Sequence, residues 1–427
     1  MTSRGFRFLV LAAIGILFCA TALPQSAGQG ERGFSYRPFR VRFTDNPEIR
    51  FGDSLRLDFR FRYHNDFRLY SPDVDTDDGL HKISRLRVAV QGRFRRDYEF
   101  EVERELRDVA VPWRDNFLNY RRFRDAQIRA GYFRIPFGME QNTGPMRLDF
   151  VYRTLMSDYL TPARDLGVMI HGRFNERALN YEVGLFRGDG DNARNADNVR
   201  TGMRTLAGRV SGRPLRLTKL PAFLREIQVG GAFTESPLPE GLNSLRGRSV
   251  AEEYLFRRIF VKGHRLRMNG EFLWTPGPFS IKSEFTHVRE ERKGQSLFAT
   301  DLPHAIARGW YVSGTWLLTG EPKAEAIEPK RKFITGGGVG AVEAAGRFEV
   351  IRFGSAEHPG RPSRSTRAAN ILSNSDRIWT FGVNWYLNQW VKIQVNGAHE
   401  TVEDLQRSPI PGQKKFWATL CRIQLTM

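Results

Sequence analysis

From Asp53 onward the chain is written with a period of two, and one of its two faces carries charge. Leu55, Leu57, Phe59, Phe61 and Tyr63 alternate with Arg56, Asp58, Arg60 and Arg62. Successive side chains of a β-strand point to opposite sides, so this stretch reads as a strand with one apolar and one ionic face. The pattern returns at 84–94, where Leu86, Val88, Val90 and Phe94 oppose Arg85, Arg87, Gln91 and Arg93. At 98–107, Tyr98, Phe100, Val102 and Leu106 oppose Glu99, Glu101, Glu103 and Glu105.

Further candidate strands cover 114–122, 125–134, 165–174, 178–187, 201–212, 225–235, 264–275, 278–289, 308–319, 339–353, 376–387, 390–402 and 414–427. With the first three they make about 16, an even number as a closed bacterial barrel requires. The connections alternate in length. Arg95-Arg96, Arg124, 175–177, Pro276-Gly277 and Asn388-Gln389 are tight, whereas 64–83, 135–164, 236–263, 290–307 and 354–375 are long and polar. Short turns on one side and long loops on the other suit a barrel with its ends in two compartments. Two segments, 213–224 and 320–338, are long where a short turn is expected. A soluble β-sandwich also alternates, but its charged face is merely solvated. Here arginine recurs on strand after strand, and the expected fold is an all-β, closed antiparallel transmembrane barrel spanning 53–427.

Composition agrees. The mean hydropathy of −0.45 is too polar for a bundle of membrane helices, and strands need expose only alternate residues to lipid. Lysine and arginine outnumber aspartate and glutamate by 66 to 47, a net charge of +19, so the partner is anionic. The start of the chain points to export. Arg4 and Arg7 precede an apolar run from Phe8 to Ala20, followed by Ala20-Thr21-Ala22. That is a secretory signal peptide over 1–22, and 23–52 reads as an irregular leader. Removing the signal leaves Cys421 alone, which excludes an internal disulfide and a cysteine-held zinc.

Three stretches resemble the phosphate-selective porin O/P family. Residues 85–105, RLRVAVQGRFRRDYEFEVERE, are similar to its early hairpin. AGYFRIPFG at 130–138 followed by TPARDLG at 161–167 resembles a strand ending in a Pro-Phe-Gly turn and a Pro-x-Arg-x-Leu-Gly restart. WTFGVNWYLNQWVKIQVN at 379–396 is similar to the next-to-last hairpin. The chain departs in ending on Met427 rather than phenylalanine, and 213–263 matches no familiar stretch. The resemblance implies a bacterial outer-membrane barrel embedded in lipid, homotrimeric, whose inward-folded loops bind small inorganic anions such as phosphate.

A pore selects ions through fixed charge in a narrowed passage, and arginine suits phosphate because its planar fork donates paired hydrogen bonds. The segment between the fifth and sixth strands is the candidate constriction loop. It offers Arg147, Arg153 and Arg164, with Arg134 at its entrance. Within the resemblance, Arg147 falls where the family places a lysine, and Arg153 matches a basic residue. By parity Arg56, Arg60, Arg62, Arg85, Arg87, Arg93, Arg129 and Arg173 line the lumen. Arg246, Arg248, Arg257, Arg258 and Lys262 make a possible second loop site. The plain alternative is that arginines brace the wall and loop, pairing with the strip Glu99–Glu105 and with Asp149, Asp158 and Asp165.

Other chemistry finds no support in the sequence. His264, His287, His304 and His399 lack metal-ligand spacing, and no Gly-x-Ser-x-Gly appears. Gly336–Gly338 lacks the lysine of a phosphate loop. The basic charge comes without a stacking platform for nucleic acid. Neither a cofactor nor a catalytic residue is expected. The expected function is a diffusion channel for phosphate or polyphosphate. The alternatives are a general or organic-solute porin of the same fold, an exported anion-binding protein without a pore, and a barrel hydrolase.

Overall fold

The computed structural model describes residues 33–36, 39–43, 46–72, 80–193, 205–333, 336–356 and 360–427. The expected signal segment, 1–22, lies outside them. Sixteen strands form the wall: β1 (Leu55–Ser71), β2 (His81–Phe94), β3 (Tyr98–Glu105), β4 (Trp113–Tyr120), β5 (Gln127–Arg134), β6 (Arg164–Phe174), β7 (Leu179–Phe186), β8 (Thr205–Gly212), β9 (Gln228–Gly241), β10 (Val261–Trp274), β11 (Phe279–Arg292), β12 (Leu302–Leu317), β13 (Ala341–Ser355), β14 (Asn374–Tyr386), β15 (Val391–Val402) and β16 (Lys415–Thr426). Each pairs antiparallel with its sequence neighbours, and β16 closes on β1 from Trp417↔Ser71 to Thr426↔Arg62. Met427 completes the seam by exchanging backbone hydrogen bonds with Phe61 at 2.9 and 3.0 Å.

β16 covers β1 only as far down as Arg62, which leaves the first residues of β1 with a bare edge. The leader fills it. Gly33–Tyr36, Phe39–Phe43 and Pro47–Phe51 form a small antiparallel meander, whose last strand pairs with β1 from Glu48↔Asp58 to Phe51↔Leu55. The leader was expected to be irregular, and over these residues it is sheet. Its alternation, Phe39-Arg40-Val41-Arg42-Phe43, is too short to stand out without the edge it completes.

The burial pattern is the reverse of a soluble sandwich. Val168 and Ile170 on the outer face are about half exposed, whereas Arg265, Arg267 and Glu343 on the inner face are fully buried. Outward rings meet across strands, Trp310–Phe348 at 5.4 Å and Phe348–Trp379 at 4.4 Å between centroids, and Phe381 continues the row along β14 at 6.3 Å from Trp379.

Turns on the side where β16 ends are short, such as 95–97, 175–178 and 275–278. The segments 213–227 and 318–340 lie on that same side despite their length. In the turn 95–97, Arg95 and Arg96 sit at φ 48° and 63°, a left-handed conformation that costs a non-glycine residue about 1–2 kcal/mol. Replacing Arg96 with glycine relieves that cost but frees the unfolded chain. The net gain should be about 0.5–1 kcal/mol, read as a higher urea midpoint at unchanged slope during reversible folding in vesicles. A lower midpoint would mean that the arginine side chain outweighs its backbone.

On the other side two connections fold into the barrel. In the third loop, 135–163, Gly138 at φ 75° turns the chain inward after Pro136-Phe137. The helix α1 (Met139–Asn142), the turn Pro145–Arg147 and the helix α2 (Leu155–Tyr159) follow. The far wall grips this loop by its backbone. Glu284 of β11 accepts from the N–H groups of Met139 (2.6 Å) and Glu140 (2.8 Å), and Glu349 of β13 accepts from Leu155 (2.8 Å). Asn384 donates to Asp149 O at 2.9 Å, and Lys392 donates to Leu148 O at 2.9 Å. Arg347 lies between the rings of Phe150 and Tyr152, 4.4 Å from each centroid.

The fifth loop, 242–260, buries Leu245, Val250, Leu255 and Ile259 beside Leu155 and Met156 of the third. The wall behind them is apolar too, through Val288, Ile351, Ile378, Val402 and Phe416. The sequence reading puts arginine on this inward face on strand after strand; on the loop side of β11–β16 the inward face is instead a hydrophobic core. Glu252 carries the fifth loop across to β1 and β2, where it pairs with Arg68 at 2.5 Å and Lys82 at 2.6 Å. The ionic face survives on the wall opposite.

Candidate anion path

Beneath the third loop, on the turn side, lies a cavity of about 1410 Å³. Arg60, Arg62, Arg129, Arg134, Arg147 and Arg173 line it, and so do Glu99, Glu101, Lys282, Lys323, Lys392 and part of the segment 318–340. Most of the wall arginines are paired. Arg62 binds Glu103, Arg87 reaches Glu103 at 3.0 Å and Glu105 at 2.8 Å, and Arg60 binds Gln91 and stands 3.9 Å from Glu101. Arg56 meets Glu48 of the leader at 2.7 Å and Asp58 at 2.9 Å. Arg129 lies over the rings of Phe117 and Phe133. Arg93 is exposed near the turns, and Arg173 is half-buried.

The loop arginines divide by what holds them. Arg134 donates to Gln141 O at 2.6 Å and Thr143 O at 2.9 Å, and Arg153 to Thr143 O at 2.8 Å and Glu140 O at 3.2 Å. Both guanidinium groups therefore complete the carbonyl end of α1, where a positive charge is favoured. Arg164 forms a two-point pair with Asp115 of β4, at 3.1 and 2.7 Å. Arg147 projects into the cavity and meets Glu325 at 2.6 Å.

Arg85 is different. It is half-buried, and its hydrogen bond runs from Nη1 to His64 Nδ1 at 3.3 Å. Among the described residues no carboxylate lies within ion-pair distance of it; the strongest charges acting on it are Arg87, Arg422 and Arg153, opposed by Asp158. His64, Arg87, Arg153 and Arg422 are all more deeply buried. Because arginine only donates, His64 Nδ1 must accept, and a neutral ring then carries its proton on Nε2. Arg85, on β2, lies beside His64 of β1 and within electrostatic reach of Arg422 of β16 and Asp158 of α2. Arg422 and Lys392 were not singled out from the sequence, although Arg422 lies on the polar parity of the last strand. His64 extends the polar parity of the first strand by one more step.

The possible second site lies apart from the cavity. Arg246 and Arg248 donate to the Tyr254 hydroxyl at 3.2 and 2.9 Å, and Arg257 stands 5.7 Å from its ring centre. Burial, with Arg246 and Arg265 nearby, lowers Arg258 to about 10. Lys262 pairs with Glu240 at 2.9 Å. Glu101, Glu103 and Asp115 bring carboxylate oxygens within 4.8 Å of one another, but each already faces an arginine.

The match to a family model decides the identity: the model of the phosphate-selective porin O and P family matches residues 57–425. The chain belongs to this family. It is a porin of the bacterial outer membrane. No curated protein sequence matches it significantly. Solved structures share the barrel at low identity. Outer membrane protein OmpT of Vibrio cholerae aligns with a TM-score of 0.55 and 10% identity over 87% of this chain and 98% of its own. The outer membrane channel DcaP of Acinetobacter baumannii aligns at 0.54 and 8% over 88% and 98%. An anion-selective porin from Comamonas acidovorans aligns at 0.51 and 10% over 87% and 100%. At these identities the likeness is one of fold.

One group in the third loop should make the porin's selectivity depend on pH. Burial pushes the Asp158 carboxyl up to about 6 despite the pull of Arg153. Below that value it loses its charge while the neighbouring arginines keep theirs, so preference for chloride over potassium should rise from pH 7 to pH 5. The linkage has the matching sign: with the folded value above the ordinary one, the stabilisation is full in acid and lost as pH rises through about 6. Asp158→Asn should show the acid-level preference already at pH 7, without the step. A step that persists in the variant belongs to another group.

Proposed function

We propose that this porin is a passive channel for small anions, phosphate among them, with its selective point where α2 of the third loop approaches β1, β2 and β16. The observation that carries this reading is Arg85, a cation among cations with no carboxylate partner among the described residues. A fixed charge in a passage poor in water acts far more strongly than one in bulk solvent. Arg134 and Arg147 continue the path into the cavity below. Arg153 and Arg164 act from behind, keeping the loop in place. Lumen-facing Arg60, Arg62 and Arg87 are largely offset by the acidic strip and contribute little net field. The channel performs no chemistry on its solute and uses neither cofactor nor metal.

We further propose a homotrimer in lipid. β3, β4, β5, β7 and β8 have 8 residues each, against 14 to 16 in β10–β13. A tilted strand needs about 9–11 residues to cross the hydrocarbon, so the short wall suits contact with another subunit. A trimer form of the Vibrio cholerae OmpT structure shares the fold.

The extensive pairing of Arg62 and Arg87 with Glu103 and Glu105 favours a second reading, a general or organic-solute porin without phosphate preference. Reversal potentials across planar bilayers in a potassium chloride gradient, followed by phosphate addition, separate the two. Anion-selective sign with phosphate block of the chloride current supports the proposal. Weak or cation selectivity leaves the general porin.

A further inference from the structure

The porin holds an anion of its own in the cavity. Between β12 and β13, on the turn side, the stretch 318–333 folds back up towards the third loop instead of making a tight turn. Lys323 anchors it: its buried ammonium donates to Asp149 of the third loop at 2.7 Å and pairs with Glu343 of the wall. Two residues further on, Glu325 presents its carboxylate to two arginines from different elements. Oε2 lies 2.6 Å from Arg147 Nη1, in the third loop, and Oε1 lies 3.9 Å from Arg177 Nη1, in the turn between β6 and β7. Among the described residues, neither arginine has another carboxylate within ion-pair distance. The three side chains are 52%, 57% and 69% exposed for Arg147, Arg177 and Glu325.

We propose that Arg147 and Arg177 form an oxyanion site on the turn side of the third loop, and that Glu325 is its tethered competitor. An inorganic oxyanion such as phosphate, arriving in the cavity, takes the place of the Glu325 carboxylate between the two guanidinium groups. This inference rests on the anion-channel reading and names a second site within it.

A bracing role explains the geometry less well. Lys323 already fixes the segment through buried pairs, and an exposed ion pair adds little to holding it. Weakness is what a competitor needs. A tethered group acts at an effective concentration on the order of millimolar, so free oxyanion in that range exchanges with it. Phosphate has the advantage of more charge and of oxygens spaced for paired bonds to guanidinium. Displaced Glu325 stays beside the site and repels the bound ion. That serves conduction, which requires a site strong enough to fill and weak enough to empty.

Glu328 supplies the control. It lines the same cavity and forms no ion pair among the described residues, so its loss removes an equal charge without freeing the arginines. The experiment is phosphate block of the chloride current through single channels of the mature protein, Glu325→Gln and Glu328→Gln, with chloride conductance before phosphate showing that each is folded. The half-blocking concentration should fall about fivefold or more in Glu325→Gln and change less than about twofold in Glu328→Gln, on the scale of one exposed pair. Adding Arg147→Ala to Glu325→Gln should abolish the gain. Equal shifts in the two glutamine variants, or no shift in Glu325→Gln while the unaltered porin is blocked, would overturn the competitor. An unaltered porin that conducts but is not blocked at all would overturn the anion-channel reading and this site with it.

Discussion

Replacing Arg85 with alanine should lower the porin's preference for chloride over potassium by roughly tenfold, which is about 1.4 kcal/mol of ion free energy. Coulomb's law at an effective dielectric constant near 20 gives a unit charge about 3 kcal/mol of influence on an ion ~6 Å away. Half of that survives easily if the neighbouring arginines and water rearrange. Replacing Arg60 and Arg62 together should have a smaller effect, within about threefold, because their charge is already offset. Arg62 binds Glu103, which Arg87 also holds at 3.0 Å, and Arg60 is bound to Gln91 near Glu101. Reversal potentials in a potassium chloride gradient measure both. If the double variant loses as much as Arg85→Ala, the field is set by the whole wall and no narrowing dominates it. Arg85→Lys is the companion variant. It keeps the charge but loses the fork, so it should retain the sign of selectivity while weakening phosphate block.

The wall was legible in the sequence because a barrel strand repeats every two residues, and every repeat must satisfy lipid on one side and water or ions on the other. That double demand marks Leu55 to Tyr63 and Phe416 to Met427 without reference to any partner. The third loop was legible by its length and by the Pro136-Phe137-Gly138 turn. What its arginines do was not. Arg153 and Arg147 look alike in sequence, yet one guanidinium ends on Thr143 O and the other on Glu325. The difference lies in where α1 ends and in how far the segment 318–340 reaches, and neither has a local signature. The loop-side core escaped notice for a related reason. Val288 is the lone apolar residue on the inward face of β11, and on β13 and β16 the inward apolar residues Ile351, Phe353, Phe416 and Leu420 share that face with Arg347, Glu349, Arg422 and Gln424. The third and fifth loops packed against them explain why they are buried. Parity gives the direction in which a side chain points and is silent about what waits for it.

Glu284→Ala should release the third loop from the wall and give the largest change in conductance. Its carboxylate, 1% exposed, accepts from Met139 N, Glu140 N and the Tyr311 hydroxyl, the last at 2.8 Å. The first two are unsatisfied N–H groups at the start of α1, where the helix end is partly positive and a carboxylate is favoured. Gly138 at φ 75° delivers the chain to that point, and the carboxylate accepts from both of the first two N–H groups of the helix. Hydrogen bonds to a charged group contribute about 1.5–3 kcal/mol each, so losing both backbone bonds should free the loop's first half by about 3–5 kcal/mol. Single-channel conductance should rise and become noisy, and selectivity should fall, because the loop that narrows the lumen no longer stays against the far wall. Glu284→Gln keeps one acceptor oxygen and should fall between. Glu349→Ala gives the scale for comparison: Glu349 holds the single N–H of Leu155 at 2.8 Å and is paired with Arg347 at 3.0 Å. Its loss should disturb α2 but leave α1 in place, a smaller rise in conductance. If Glu284→Ala conducts quietly at the original level, the grip on α1 is redundant. The loop would then be held by its other half, where Asn384, Lys392 and the clamp on Arg347 act together.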